Sequence, residues 1–230
     1  MLDNLFATTV NMYTKYGHLF WYGLKITLQL SAISVFCGVL VGSLICLMKR
    51  SRFAIFRFRP VSFLATAYIE IIRGTPLLLQ LYFFYFLLPM FFPFFEINKF
   101  AAVCVALILN DAGYVSEIIR AGIEAVDKGQ VEAARSLGLG RSQTMIRIVM
   151  PQAVRNILPA LCNEFVMVIK ETSLASTFFV GDIMTQVKSI QGFTYQSIQP
   201  LIIAAILYFG ITFPLSKIVA LIERRMKASD

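Results

Sequence analysis

Charge is scarce in this chain: only 15% of its 230 residues are Asp, Glu, Lys or Arg, and there is a single histidine, His18. One histidine, with no clustered ligands, leaves no metal pattern. No nucleophile–base pairing is recognisable either, so enzymatic chemistry has little to stand on. The Gly-x-x-x-x-Gly-Lys-Ser/Thr phosphate loop is missing, so the chain is not expected to hold ATP by that route or to bind any cofactor itself. No internal repeat is visible, which argues against an inverted-repeat secondary transporter. Met1–His18 lacks a basic start and a continuous apolar core, so no cleavable signal peptide is expected. The four cysteines, Cys37, Cys46, Cys104 and Cys162, all sit in apolar runs and read as packing residues without a disulfide.

What the chain has in abundance is apolar sequence. It is 58% hydrophobic, with a mean hydropathy of +0.73, far beyond a soluble domain of this length. Ile26–Met48 runs 23 residues without a charge, Leu77–Phe95 runs 19 and Ser189–Ser216 runs 28. Each approaches or exceeds the roughly 20 residues that cross a bilayer. The net charge of +8 is a topology signal rather than a nucleic-acid footprint. Lys49, Arg50, Arg52, Arg57 and Arg59 follow the first apolar run; Lys128, Arg135, Arg141, Arg147 and Arg155 lie in or beside a central loop; Arg224, Arg225 and Lys227 close the chain. The other connections are nearly balanced, Glu96 with Lys99 and Asp182 with Lys188. Under the positive-inside rule the three basic regions are cytoplasmic, which requires an odd number of spans, N-terminus outside and C-terminus inside.

The fold expected is therefore an all-α membrane protein with five transmembrane helices. Residues 1–18 read as a short interfacial helix on the outer surface, with Trp21 and Tyr22 in the aromatic belt. The single transmembrane domain covers 19–225, with spans at about 19–48, 60–92, 100–123, 152–179 and 200–222, a cytoplasmic loop at 128–151 and a tail at 226–230. Gly38-x-x-x-Gly42 in the first span reads as close packing within the chain. Gly74-Thr75-Pro76 interrupts the second span and is expected to kink it. Glu70 and Arg73, three residues apart, share a helix face as an interface ion pair or part of a gate.

Charged groups inside a span cost about 2.5–3.5 kcal/mol each on insertion scales, so they face partner helices or wet cavities. Counting about 1.5 Å per residue from Phe100 puts Asp111 roughly 16 Å deep, near the midplane. Counting in the same way from Pro151 puts Glu164, with Asn163 beside it, about 20 Å along the fourth span. Asp111, Asn163 and Glu164 are the candidate substrate contacts, suited to a cationic side chain or an amino group. The alternative for Asp111 is a helix-packing acid hydrogen-bonded to Asn110, Tyr114 or a neighbouring span. Glu117 and Arg120 lie nearer the cytoplasm and read as a gate or latch, pairing with each other or with Arg73. Lys170 and Glu171 approach the outer face.

Glu132–Pro151 organises the rest. It reads Glu132-Ala133-Ala134, three residues, Gly138, nine residues, Ile148, one residue, Met150-Pro151. Good helix formers, a break at Gly138 and Gly140, and a second helical run make a helix–bend–helix knob. The spacing resembles the EAA loop of ABC importer permeases, with Met150 where Leu is usual. Arg73-Gly74-Thr75-Pro76-Leu77-Leu78-Leu79-Gln80-Leu81 resembles the signature of the polar amino-acid group of these permeases. So does Tyr114-Val115-Ser116-Glu117-Ile118-Ile119-Arg120-Ala121-Gly122-Ile123, preceded by Ala112-Gly113 where Gly-Ala is more usual. Pro159–Phe165, with Cys162 for the usual Gly, and Lys170-Glu171-Thr172-Ser173-Leu174 are similar to two further motifs of the family.

The resemblance implies a type I ABC importer permease in a bacterial cytoplasmic membrane. It implies pairing with an identical or homologous permease and two ATPase subunits that carry ATP-Mg, and delivery by an extracytoplasmic amino-acid-binding protein. It places Glu132, Ala133, Ala134, Gly138 and Arg141 in ATPase coupling, with Glu132 capping or orienting the coupling helix. Glu70, Arg73, Pro76, Glu117 and Arg120 fall to gate or structure. The alternative is an ATP-independent secondary transporter or channel, which has no need of such a loop.

Overall fold

A computed structural model describes residues 2–51, 59–94 and 98–227. The expectations for Arg52, Arg57, Glu96 and residues 228–230 lie outside the described residues. Every regular element among the described residues is helical.

Helix α1 runs unbroken over Leu2–Lys49, so the first eighteen residues are not a separate surface helix. Tertiary packing carries the helix through its polar start. Met12, Phe20 and Leu24 are buried against Ile183, Val187, Ile190, Ile203 and Ala204, and Trp21 Nε1 donates to Tyr13 Oη at 3.1 Å.

The expected kink at Pro76 is an elbow. Helices α2 (Pro60–Gly74) and α3 (Leu77–Phe91) are bent by 114°. Proline forces Thr75 into the extended region (φ −120°, ψ 147°), and carbonyls at the end of α2 then need hydrogen bonds. Gln80 supplies them, its amide Nε2 donating to Ile72 O at 2.7 Å and Thr75 O at 3.1 Å.

Helix α4 (Lys99–Glu124) is the hub, in contact with α1, α2, α3 and α7. Its start is capped by Asn98, whose side chain accepts from Ala101 N at 2.8 Å. Both glycines of the Gly38–Gly42 pair face it. A Cβ on Gly38 would collide with Asp111 Oδ2, and one on Gly42 would sit 2.8 Å from Ala112 O and 2.9 Å from Val115 Cβ. The motif therefore serves packing within the chain.

Helix α5 (Lys128–Ser136) and the short α6 (Arg141–Thr144) follow. A π turn over Met145–Val149 then joins α6 to α7 (Met150–Glu171) without a break. The helix passes through Pro151 because the wider turn relieves the clash between a proline ring and the carbonyl four residues earlier. A 3₁₀ stretch, Thr172–Phe178, ends at Phe179 in the left-handed region (φ 52°). The connection expected outside the membrane contains α8 (Ile183–Thr194), and α9 (Ile198–Lys227) continues through Pro214.

Three helices among the described residues are long and apolar enough to cross a membrane: Asn4–Lys49, Lys99–Glu124 and Ile198–Met226. The α2–α3 pair is apolar and long enough only when its two arms are taken together across the 114° bend. Helix α7 is interrupted by Arg155, Glu164, Lys170 and Glu171. It packs between α4 and α9 and also touches α1.

Candidate functional site

Chemistry-bearing residues gather at two levels: the basic end of the bundle and the middle of α4 and α7. At the basic end, Glu117 is the centre of an ion network. It accepts from Lys49 Nζ at 2.6 Å and Arg120 Nη2 at 2.8 Å, with Arg73 Nη1 at 3.7 Å. Arg120 also pairs with Glu124. The expected Glu117–Arg120 pair is present. The expected Glu70–Arg73 pair is not, because Glu70 points to the exposed side of α2 while Arg73 turns to Glu117 and lies over the Tyr114 ring, 5.8 Å from its centroid. Pro76 stands at the elbow itself. Lys49 and Glu124 were not singled out from the sequence. Lys49 is 68 residues from Glu117, so no local spacing signals that pair.

The loop that follows α4 folds as helix, glycine turn and helix. Its cap is Asp127, whose side chain accepts from Gln130 N at 3.2 Å. Glu132 lies inside α5 and exposed, so it does not cap the helix. Ala134 is buried, Ala133 exposed, and Leu137 stands 84% exposed at the tip. Gly138 takes φ +84°, a left-handed conformation that other residues adopt at a cost of about 1–2 kcal/mol. With it, Gly138 N reaches Arg135 O at 3.0 Å and Leu139 N reaches Ala134 O at 3.1 Å, closing the end of α5. Arg141 opens α6 and is exposed. The result is a compact knob with Leu137 and Ile146 (67% exposed) on its surface.

At the middle level, Asp111 is 2% exposed, and neither carboxylate oxygen has a hydrogen-bond partner among the described residues. Asn110 does not serve it, because its amide donates to Gln80 Oε1 at 2.9 Å. Helix α7, which carries Glu164 and Glu171, packs against α4. Glu164 is half-buried and Asn163 is exposed, on another face of the helix. A neighbouring cavity of ≈ 300 Å³ is lined by apolar residues of α1, α7 and α9, such as Cys162 and Phe165, and includes none of the three candidates. Asp111 is thus buried on α4, Glu164 and Glu171 are half-buried on α7, which packs against α4, and Asn163 is exposed.

Comparison with known proteins follows the same lines. The family described as binding-protein-dependent transport system inner membrane component matches residues 34–228. The chain is 42% identical over 208 residues to the arginine transport system permease protein ArtQ of Bacillus subtilis (strain 168), covering 90% of this chain and 92% of the relative. It is 39% identical over 207 residues to a putative glutamine transport system permease protein, GlnP, of Rickettsia bellii (strain RML369-C), with the same coverage. Among solved structures, the crystal structure of an amino acid ABC transporter with histidines superposes with a TM-score of 0.86 at 46% identity, covering 92% of this chain and 96% of that one.

Proposed function

Because this chain belongs to the family of binding-protein-dependent transport system inner membrane components, as an amino-acid ABC permease, we propose that it carries a cationic amino acid through a site built on Asp111, Glu164 and Glu171. The family is a transport subunit rather than an enzyme, with ATP hydrolysis on a separate subunit. In this reading the chain spans a bacterial cytoplasmic membrane five times, with α7 as the charged fourth span. It pairs with a second permease, identical or homologous. Two ATPases bearing ATP-Mg dock on the loop around Glu132–Arg141, and an extracytoplasmic binding protein delivers the amino acid.

The observation that carries the substrate reading is the state of Asp111. A buried carboxylate calls for a counter-charge or hydrogen bonds, and no ion pair among the described residues involves Asp111, Glu164 or Glu171. A guanidinium or ammonium arriving with the substrate supplies both the charge and the donors. In an apolar span the charged form of these acids is favoured while cationic cargo is bound, which ties the site's energetics to loading. The relative named for arginine transport is consistent with this reading. The relative named for glutamine is nearly as similar, so the acids, not the names, carry the argument.

The test is ATPase activity of the permease reconstituted with its ATPase and binding protein, across a panel of amino acids. Arginine, lysine or histidine should stimulate. Asp111→Asn, Glu164→Gln or Glu171→Gln should each weaken the half-saturating concentration about 10–100-fold, the range for one hydrogen bond to a charged group. Stimulation by glutamine or glutamate that ignores all three substitutions would remove the cationic site and leave the importer. Uptake by the chain alone, with no ATPase, would remove the importer.

A further inference from the structure

Beside the α5–α6 knob lies a cavity of ≈ 490 Å³ whose lining includes Arg135 and Arg141 of the loop read above as the ATPase dock. Its charged lining is Arg50 just after α1, Lys128 and Arg135 from α5, Arg141 from α6, and one acid, Glu124. The acid is already engaged by Arg120. The four cations enter no ion pair among the described residues, and all four are exposed. Four like charges around one concavity repel each other, an arrangement that becomes favourable when an anion sits between them. The floor is the apolar cluster of α4 and α7 residues that includes Val126 and Val149. Leu137 and Ile146, the exposed apolar residues of the knob, do not line the cavity.

We infer that this cavity is a phosphate-binding site, taking the headgroup phosphate of an anionic phospholipid from the membrane face beside it. The chemistry fits in three respects. Arginine forks match phosphate oxygens, with Arg50, Arg135 and Arg141 available from separate elements. Arg50 follows directly on the end of the apolar α1, at headgroup depth. An apolar floor beside the cations accepts the glycerol and first acyl carbons, which free phosphate does not need. A bound headgroup would tie the end of α1 to α5 and α6, bridging the bundle and the knob. This inference is independent of the substrate reading.

Native mass spectrometry of the delipidated transporter, assembled with its ATPase subunits, tests it. Phosphatidylglycerol, phosphatidylcholine and inorganic phosphate are titrated separately. Phosphatidylglycerol should be retained over phosphatidylcholine. At roughly fivefold per basic residue near a membrane surface, Arg50→Gln with Lys128→Gln should weaken it about thirtyfold. The charge-conserving pair Arg50→Lys with Lys128→Arg should retain binding, which separates lost charge from misfolding. Arg224→Gln with Arg225→Gln, removing two exposed cations at the end of α9, should leave binding unchanged. If inorganic phosphate alone binds and displaces the lipid, the site is a phosphate site fed from solution. Equal loss in the α9 variant would overturn the site in favour of diffuse attraction. Equal retention of the two lipids with no phosphate binding would overturn it too, with the cavity then filled by acidic side chains of the ATPase.

Discussion

Gly42 offers a sharp test of how closely α1 and α4 pack. Alanine there would place its methyl 2.8 Å from the backbone oxygen of Ala112 and 2.9 Å from Val115 Cβ and Cγ1. A carbonyl inside a helix cannot rotate away as the end of a flexible side chain does, so the helices must separate by several tenths of an ångström. Overpacking of this kind costs about 1–3 kcal/mol, and the backbone obstacle argues for the upper half of that range. Alanine also gains about 1 kcal/mol over glycine in a helix, which confuses any single measurement. Gly210 in α9 removes the confusion, because a Cβ there meets nothing within 4 Å. The two alanine variants share the helix term and differ only in packing, by about 2–3 kcal/mol. At roughly 2–4 °C per kcal/mol for a chain of this length, their melting midpoints should differ by about 4–12 °C. The assay is thermal unfolding of the purified transporter in one detergent or nanodisc, with Gly210→Ala at or above wild type and Gly42→Ala below it. Coincident midpoints would refute the close approach of α1 and α4.

Gly138→Val meets no steric obstacle but must hold φ +84°, at a cost of about 1–2 kcal/mol, or a 5–30-fold loss of the turn population. Uptake should fall accordingly while membrane insertion is unchanged, and normal uptake would sink the coupling role of the turn. Glu117→Gln leaves Lys49, Arg73 and Arg120 facing one another. For a half-buried network the cost lies between exposed and buried pairs, about 2 kcal/mol, read as a fall of about 4–8 °C in melting midpoint. Asp182 is fully buried at the start of α8. Burial pushes its carboxyl above the usual range, against the hydrogen bonds from Thr185 and the Met184 amide. The folded state then keeps this proton to higher pH than the unfolded chain does, so stability falls as pH rises through the ordinary carboxylate range toward the raised native value. Asp182→Asn keeps an acceptor for Met184 N–H, so its gain in melting midpoint over wild type should grow from about pH 4 toward neutrality. A gain that shrinks with rising pH would contradict this.

The parts legible in the sequence are those with short-range causes. The apolar runs announced the helices, and the glycine pair at 38 and 42 announced close packing. The break at Gly138 announced the turn, because a positive φ there is written into one residue. Contacts between distant segments left no such trace. Lys49 with Glu117, and the turning of Arg73 away from Glu70, depend on how α1, α2 and α4 are laid together. The size of the elbow was also hidden. A proline explains a break, but 114° is stabilised by Gln80 bridging back across it to Ile72 and Thr75.

The unbroken α1 has a mechanical consequence. Its 48 residues, at about 1.5 Å each, make a rod about 72 Å long, well beyond the roughly 40–45 Å of a bilayer with its headgroups. It is held at both levels: Lys49 pairs with Glu117 of α4, and Met12, Phe20 and Leu24 are packed against α8 and α9, so one continuous helix joins the basic end of the bundle to the α8–α9 packing at the other.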